Sequence, residues 1–202
     1  MGFETSSVQN SEALERENKR KAFANLFEQT LSSNNGESAP VVEYNLPYPK
    51  EDFLRFLTEE KNVLLHGSPN RNIEILEPRQ ANDAIKISGN KKAIYGVTDP
   101  VLPIFYAIQD KKKLQGIIKS GASENAETGE LEYEFKISKD ALESKPWTRG
   151  VIYLFDKNQF SPERDDNGEL SGEWVSEIPV RPVAKLEVGP EDFRFLDNVV
   201  GE

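Results

Sequence analysis

A chain of 202 residues is long enough for one domain with a sizeable core and an appendage, and short for two full domains. Its 35 acidic against 25 basic residues leave a net charge of −10, which repels a phosphate backbone and disfavours nonspecific nucleic-acid binding, although a local field can still hold a small anion such as a pyrophosphate. With no cysteine and one histidine, disulfides, thiolate chemistry and His-pair zinc sites are excluded. No apolar run approaches the roughly 20 residues that span a bilayer, and polar Met1–Asn18 lacks a signal-peptide core, so the expectation is a cytoplasmic protein without a membrane partner.

In chain order, Leu14, Ala22, Phe23, Leu26, Phe27 and Leu31 recur at helical spacing and predict an amphipathic helix over Ser11–Leu31. Ser32–Ser38 ends it, and Pro40, Pro47 and Pro49 keep the following linker extended. Residues 1–49 are therefore expected to form a helix and linker ahead of a domain over 50–202. Phe53, Leu54, Phe56 and Leu57 predict a short helix over Lys50–Glu60, leading into the apolar strand Val63–Leu65.

After Gly89 the pattern turns to strands. Ala93–Val97 is one, stopped at Thr98-Asp99-Pro100, where Asp99 is placed to cap a helix running to about Gln109. Ile117-Ile118 is a weak strand followed by a hairpin loop at Ser120–Gly129, and Leu131, Tyr133, Phe135 and Ile137 alternate with charged residues as in a half-buried strand. Val151–Phe155 suits a central strand, Glu163–Ser171 a charged loop, and Trp174–Ile178 and Val183–Val188 two last strands. Helices come first and short strands later, so the fold class is α+β.

Three segments stand out chemically. Leu64–Ser68 ends a strand on an imidazole followed by a glycine and a hydroxyl, and the glycine permits close backbone approach to a flat ligand. Ala93–Asp99 runs into a helix bearing Tyr106, so that Tyr95 and Tyr106 are suited to sandwich an aromatic, positively charged ring. Gly172–Val180 begins with Glu173, an acidic residue at the head of an otherwise apolar strand. Taken singly, each segment is more often structural: a histidine satisfied at a strand end, tyrosines in a core, a solvated glutamate.

In that order, and with Asn72 and Ile75-Leu76 following the first segment, the trio resembles the diphtheria-toxin and poly(ADP-ribose)-polymerase branch of the ADP-ribosyltransferases, over about residues 62–190. Gly96 departs from it, standing where a bulky residue often follows the tyrosine, and so does Pro103, standing where a small or basic residue is usual. The resemblance implies two packed, mostly antiparallel sheets with flanking helices, to which the N-terminal amphipathic helix is added. It implies NAD as substrate, with His66 on the nicotinamide-side ribose, the Gly67 backbone and Ser68 on the carboxamide, and Tyr95 and Tyr106 on the two faces of the nicotinamide. Glu173 would lie beside the bond that breaks, so that Glu173, His66 and Tyr95 form the catalytic set.

The activity so implied is transfer of ADP-ribose to a macromolecular acceptor, of which a protein is the simplest, with release of nicotinamide. The alternatives are NAD hydrolysis and a non-catalytic binding module on the same fold. RNA 2′-phosphate transfer ranks last, because Arg71, Arg79, Arg149 and Arg181 are scattered in the chain rather than gathered in a basic segment.

Overall fold

A computed structural model describes residues 4–34, 36, 38–80, 91–164 and 167–202. Helix α1 (Glu4–Ser32) is longer than the apolar spacing alone indicates, and α2 (Lys50–Glu60) lies where the phenylalanine and leucine pattern places it. The two are tied by aromatic packing: the Phe23 ring meets Phe53 at 5.4 Å, Phe56 at 5.7 Å and Tyr48 at 5.6 Å. Lys19 and Asp52 form an ion pair at 2.6 Å on the rim of this contact. The linker between them is extended but not idle. Val42 N–H donates to Lys185 O at 2.8 Å and Lys185 N–H donates to Pro40 O at 2.9 Å, so its middle lies along a sheet edge.

Strands β1 (Val63–Ser68), β2 (Arg79–Gln80) and β3 (Lys92–Val97) are followed by α3 (Val101–Ala107), whose start is fixed by Asp99 Oδ1 accepting the Val101 N–H at 2.9 Å. Then come β4 (Ile118–Glu124), β5 (Leu131–Ile137), α4 (Lys139–Glu143), β6 (Gly150–Asp156), β7 (Ser161–Arg164), β8 (Leu170–Ser176), β9 (Ala184–Val188) and β10 (Val200–Gly201). The larger sheet runs β7-β8-β3-β1-β6-β9, with β2 also on β3, and every pairing in it is antiparallel. The smaller sheet runs β10-β5-β4, its β10–β5 pair parallel.

Several boundaries differ from the sequence reading for one physical reason, pairing with a partner far along the chain. β4 continues through Ser120–Glu124, expected as loop, because β5 pairs it residue for residue from Ile118↔Ile137 to Glu124↔Leu131. β7 recruits Glu163 and Arg164 from the expected charged loop, and β8 begins at Leu170 and ends at Ser176, two residues before the exposed Ile178. α3 stops at Ala107, since Gln109 instead bridges to Trp147.

The central strands β1 and β6 of the larger sheet are buried on both faces, which is why Val63–Leu65 and Val151–Phe155 are unbroken apolar runs rather than alternating ones. Val63, Leu65, Ile152 and Leu154 join the main core with Phe23, Phe27 and residues of α2 and α3. Leu64, Ile94, Val151, Tyr153 and Phe155 form a second core with Leu76, Phe160 and Val180 on the opposite face. α3 lies hard against β1 and β6 at two glycines. A Cβ on Gly67 would stand 1.9 Å from Pro103 O, and one on Gly150 would stand 1.9 Å from Ala107 O, so Pro103 and Ala107, one helical turn apart, seat the helix.

Candidate functional site on β8, β3 and β1

The sheet order makes β8, β3 and β1 consecutive neighbours, so the three chemically distinctive segments meet although more than a hundred residues separate the first from the last. Val97 pairs with Glu173 and Tyr95 with Val175 across β3–β8, and Leu65 pairs with Val97 across β1–β3. Directly paired residues share a face, so Tyr95, Val97 and Glu173 lie on the face that carries Leu65. His66 pairs with Tyr153 and shares the opposite face with Leu64. The structure therefore sets Tyr95 and Glu173 side by side and brings His66 to them from the other side of the strand.

His66 nonetheless reaches β3. One aligned pair, Leu65↔Val97, registers the two strands, and next to it the imidazole takes over: Nδ1–H donates to Tyr95 O at 2.9 Å. A carbonyl only accepts, so the proton sits on Nδ1, and in the neutral ring Nε2 keeps a lone pair for a donor. Burial pulls the His66 pKa below its ordinary value; the bond to Tyr95 pushes back, and Lys111 and Arg79 add to the lowering. The ring is thus neutral near pH 7.

Tyr95 is partly exposed as a residue, while its hydroxyl is buried and has no hydrogen-bond partner among the described residues. Burial raises its pKa, the Glu173 and Glu163 carboxylates add to the rise, and the Lys91 amide and ammonium offset part of it. The phenol stays protonated. Glu173 is also partly exposed, and its N–H donates to Ser171 Oγ at 3.2 Å, which fixes the backbone at the head of the apolar half of β8.

Sequence reasoning missed Glu163 and Lys91. Glu163 is 3% exposed and Lys91 Nζ reaches its Oε2 at 2.9 Å. Nothing in Ser-Pro-Glu-Arg signals this, because it is a register shift between Pro162 and Arg164 that accompanies the inward turn of the carboxylate.

The remaining candidates are differently engaged. Gly67 meets the α3 backbone where a side chain would stand, so its close approach serves helix packing. Ser68 is buried and its Oγ accepts the Asn70 N–H at 3.2 Å. Tyr106 is 42% exposed on α3, its hydroxyl 2.7 Å from Ser120 Oγ of β4 and its ring beside Phe105; no ring contact joins it to Tyr95 among the described residues. Gly96 and Pro103, the two departures from the family pattern, both have packing reasons. A Cβ at Gly96 would press on Leu64 Cβ at 3.2 Å, and Pro103 is the residue lodged against Gly67.

A cleft of about 380 Å³ opens elsewhere, between Val41, Arg71, Asn72, Val151, Lys185 and Glu187, and none of the six candidate residues lines it. Among the described residues no group of three or more His, Asp or Glu is placed to hold a metal ion, and no helix is long and apolar enough to cross a membrane. The class defined by these observations is an α+β domain of two mostly antiparallel sheets with, among the described residues, four α-helices. Comparison with known proteins finds no family model, no curated protein and no solved structure that matches the chain.

Proposed function

We propose that the chain is an ADP-ribosyltransferase-like enzyme that uses NAD as substrate and transfers ADP-ribose to a macromolecular acceptor, most simply a protein. The observation that supports this best is the pairing of β3 with β8. Glu173 is the diagonal neighbour of Tyr95 on one face, a relation that sets two side chains about 7–8 Å apart at their bases. A flat cationic ring stacked on Tyr95 gains roughly 1 kcal/mol or more from stacking and cation–π attraction, and a substituent bond directed across toward β8 would come within reach of Glu173.

For NAD that bond joins the nicotinamide nitrogen to ribose C1′. When it breaks, the electron pair leaves with the ring as neutral nicotinamide, so no general acid is needed there. The ribose carries an oxocarbenium-like charge until an acceptor nucleophile bonds to C1′ and releases its proton. Glu173 stabilises that developing charge, as carboxylates do in glycoside cleavage. His66, on the opposite face, acts through its Nδ1–H bond to Tyr95 O, which holds the β3 backbone that carries Tyr95. Gly67, Ser68 and Tyr106 are engaged in contacts of their own, with Pro103, Asn70 and Ser120, so the reading rests on Tyr95 and Glu173.

The test is release of nicotinamide from NAD by wild type and by Glu173→Gln. By comparison with other preorganised electrostatic contacts, the variant should lose about a hundredfold or more in kcat while keeping its NAD affinity. Equal release by the two proteins, or no release by either, refutes the proposal. Label recovered as free ADP-ribose rather than on protein assigns NAD hydrolysis in place of transfer.

A further inference from the structure

A carboxylate as enclosed as Glu163 is costly unless it is paired and fully hydrogen-bonded. Lys91 meets half of that need through Oε2, while Oε1 is buried with no partner among the described residues. The Tyr95 hydroxyl is buried too: the Lys91 amide faces its oxygen, but its O–H has no acceptor within hydrogen-bonding geometry among the described residues. Strand pairing puts the two on one face, with β8 between their strands. Ser161 pairs with Val175 and Val175 with Tyr95, so the three share a face, and Glu163 follows Ser161 by two residues. The Glu163 carboxylate also acts electrostatically on the Tyr95 phenol. An orphaned O–H donor and an orphaned carboxylate oxygen in one dry locality are each expensive alone and satisfied together, directly or through one water.

We propose that Glu163 is a positioning residue for Tyr95: its free oxygen takes the Tyr95 O–H, and Lys91 fixes the carboxylate, so that the phenol ring stands still as a stacking surface for an aromatic cation. The inference rests on the NAD reading for the identity of that cation. Anchoring the hydroxyl inward leaves the ring, the partly exposed part of the residue, facing the ligand. A stacking platform held by its own polar tip loses less freedom on binding than a free one.

A double-mutant cycle on the full chain tests this, using Tyr95→Phe, Glu163→Leu and the double variant, with NAD and ADP-ribose as probes. Each single variant should raise the Kd for NAD about tenfold, the double variant should raise it no further, and ADP-ribose, which lacks the ring, should bind all four proteins alike. Glu163→Gln keeps an acceptor oxygen and should restore most of the NAD affinity. Additive losses, or equal losses for ADP-ribose, overturn the proposal in favour of a carboxylate that only ties β7 to Lys91. Tyr95→Phe removes nothing but the hydroxyl, so unchanged NAD affinity in that variant overturns it even where Glu163→Leu fails to fold. Urea unfolding of the same four proteins reads the pair without ligand. Coupling there together with a wild type that takes up no NAD would end the NAD reading and the stacking role while leaving the Tyr95–Glu163 contact standing.

Discussion

Alanine at position 67 would put a methyl group where the backbone of α3 already lies. The added Cβ would stand 1.9 Å from Pro103 O, 2.7 Å from Pro103 C and 2.9 Å from Pro103 Cα, all of them main-chain atoms that no rotamer change can remove. An ordinary contact of this kind is roughly 3.5 Å, so the helix must retreat by about 1.5 Å. α3 carries Val101, Ile104, Phe105 and Ala107, each at most 1% exposed, and a gap of even ~1 Å forfeits up to about half of the dispersion attraction across it. The expected cost is about 3 kcal/mol or more, which for a chain of this length lowers Tm by roughly 6–12 °C. Thermal and urea unfolding followed by circular dichroism measure it. Gly121→Ala is the control, since nothing lies within 4 Å of the Cβ it would gain. A Gly67→Ala protein within about 0.5 kcal/mol of wild type would refute the close seating of α3.

Acidification should weaken the fold through His66. Its folded pKa lies below the unfolded value of about 6.5, so below that pH the unfolded chain binds more protons and stability falls until the folded imidazole also protonates. As the only histidine, it should account for the slope of stability between about pH 7 and 5.5, and His66→Gln should flatten that slope; an undiminished slope would show that the imidazole is not desolvated. Phe23→Ala should cost about 3–5 kcal/mol in urea unfolding, because the ring is 2% exposed among Tyr48, Phe53 and Phe56; a loss below about 1 kcal/mol would mean that α1 does not contribute to the core.

How much of this was legible in the sequence differs from element to element. Helical spacing placed α1 and α2, and the apolar runs at Val63–Leu65 and Val151–Phe155 marked the strands that are buried on both faces. The α+β class followed from element order alone. β4 was only half legible, because Lys-Ser-Gly-Ala-Ser-Glu has little intrinsic preference for a strand and is held by β5. β2 and β10, two residues each, carry no period at all.

At the candidate site, the ordered trio named the three segments that the sheet makes neighbours, but residue type could not reveal which face each side chain takes. That depends on register, and a shift of one residue exchanges the faces. Gly67 illustrates the point. A glycine after a strand-end histidine signals close approach, and only the path of α3 shows that Pro103 is what approaches. Glu163 illustrates the converse, a surface-type residue whose burial arises from an irregularity between β7 and β8.

The central claim is that Tyr95 and Glu173, diagonal neighbours across β3 and β8, receive the nicotinamide end of NAD. Saturation-transfer NMR of NAD in the presence of the wild-type protein and of Tyr95→Ala tests it most directly. The account predicts strong transfer to the nicotinamide ring protons from wild type and its loss in the variant. Transfer confined to the adenine protons, or a nicotinamide signal that Tyr95→Ala leaves unchanged, would contradict it.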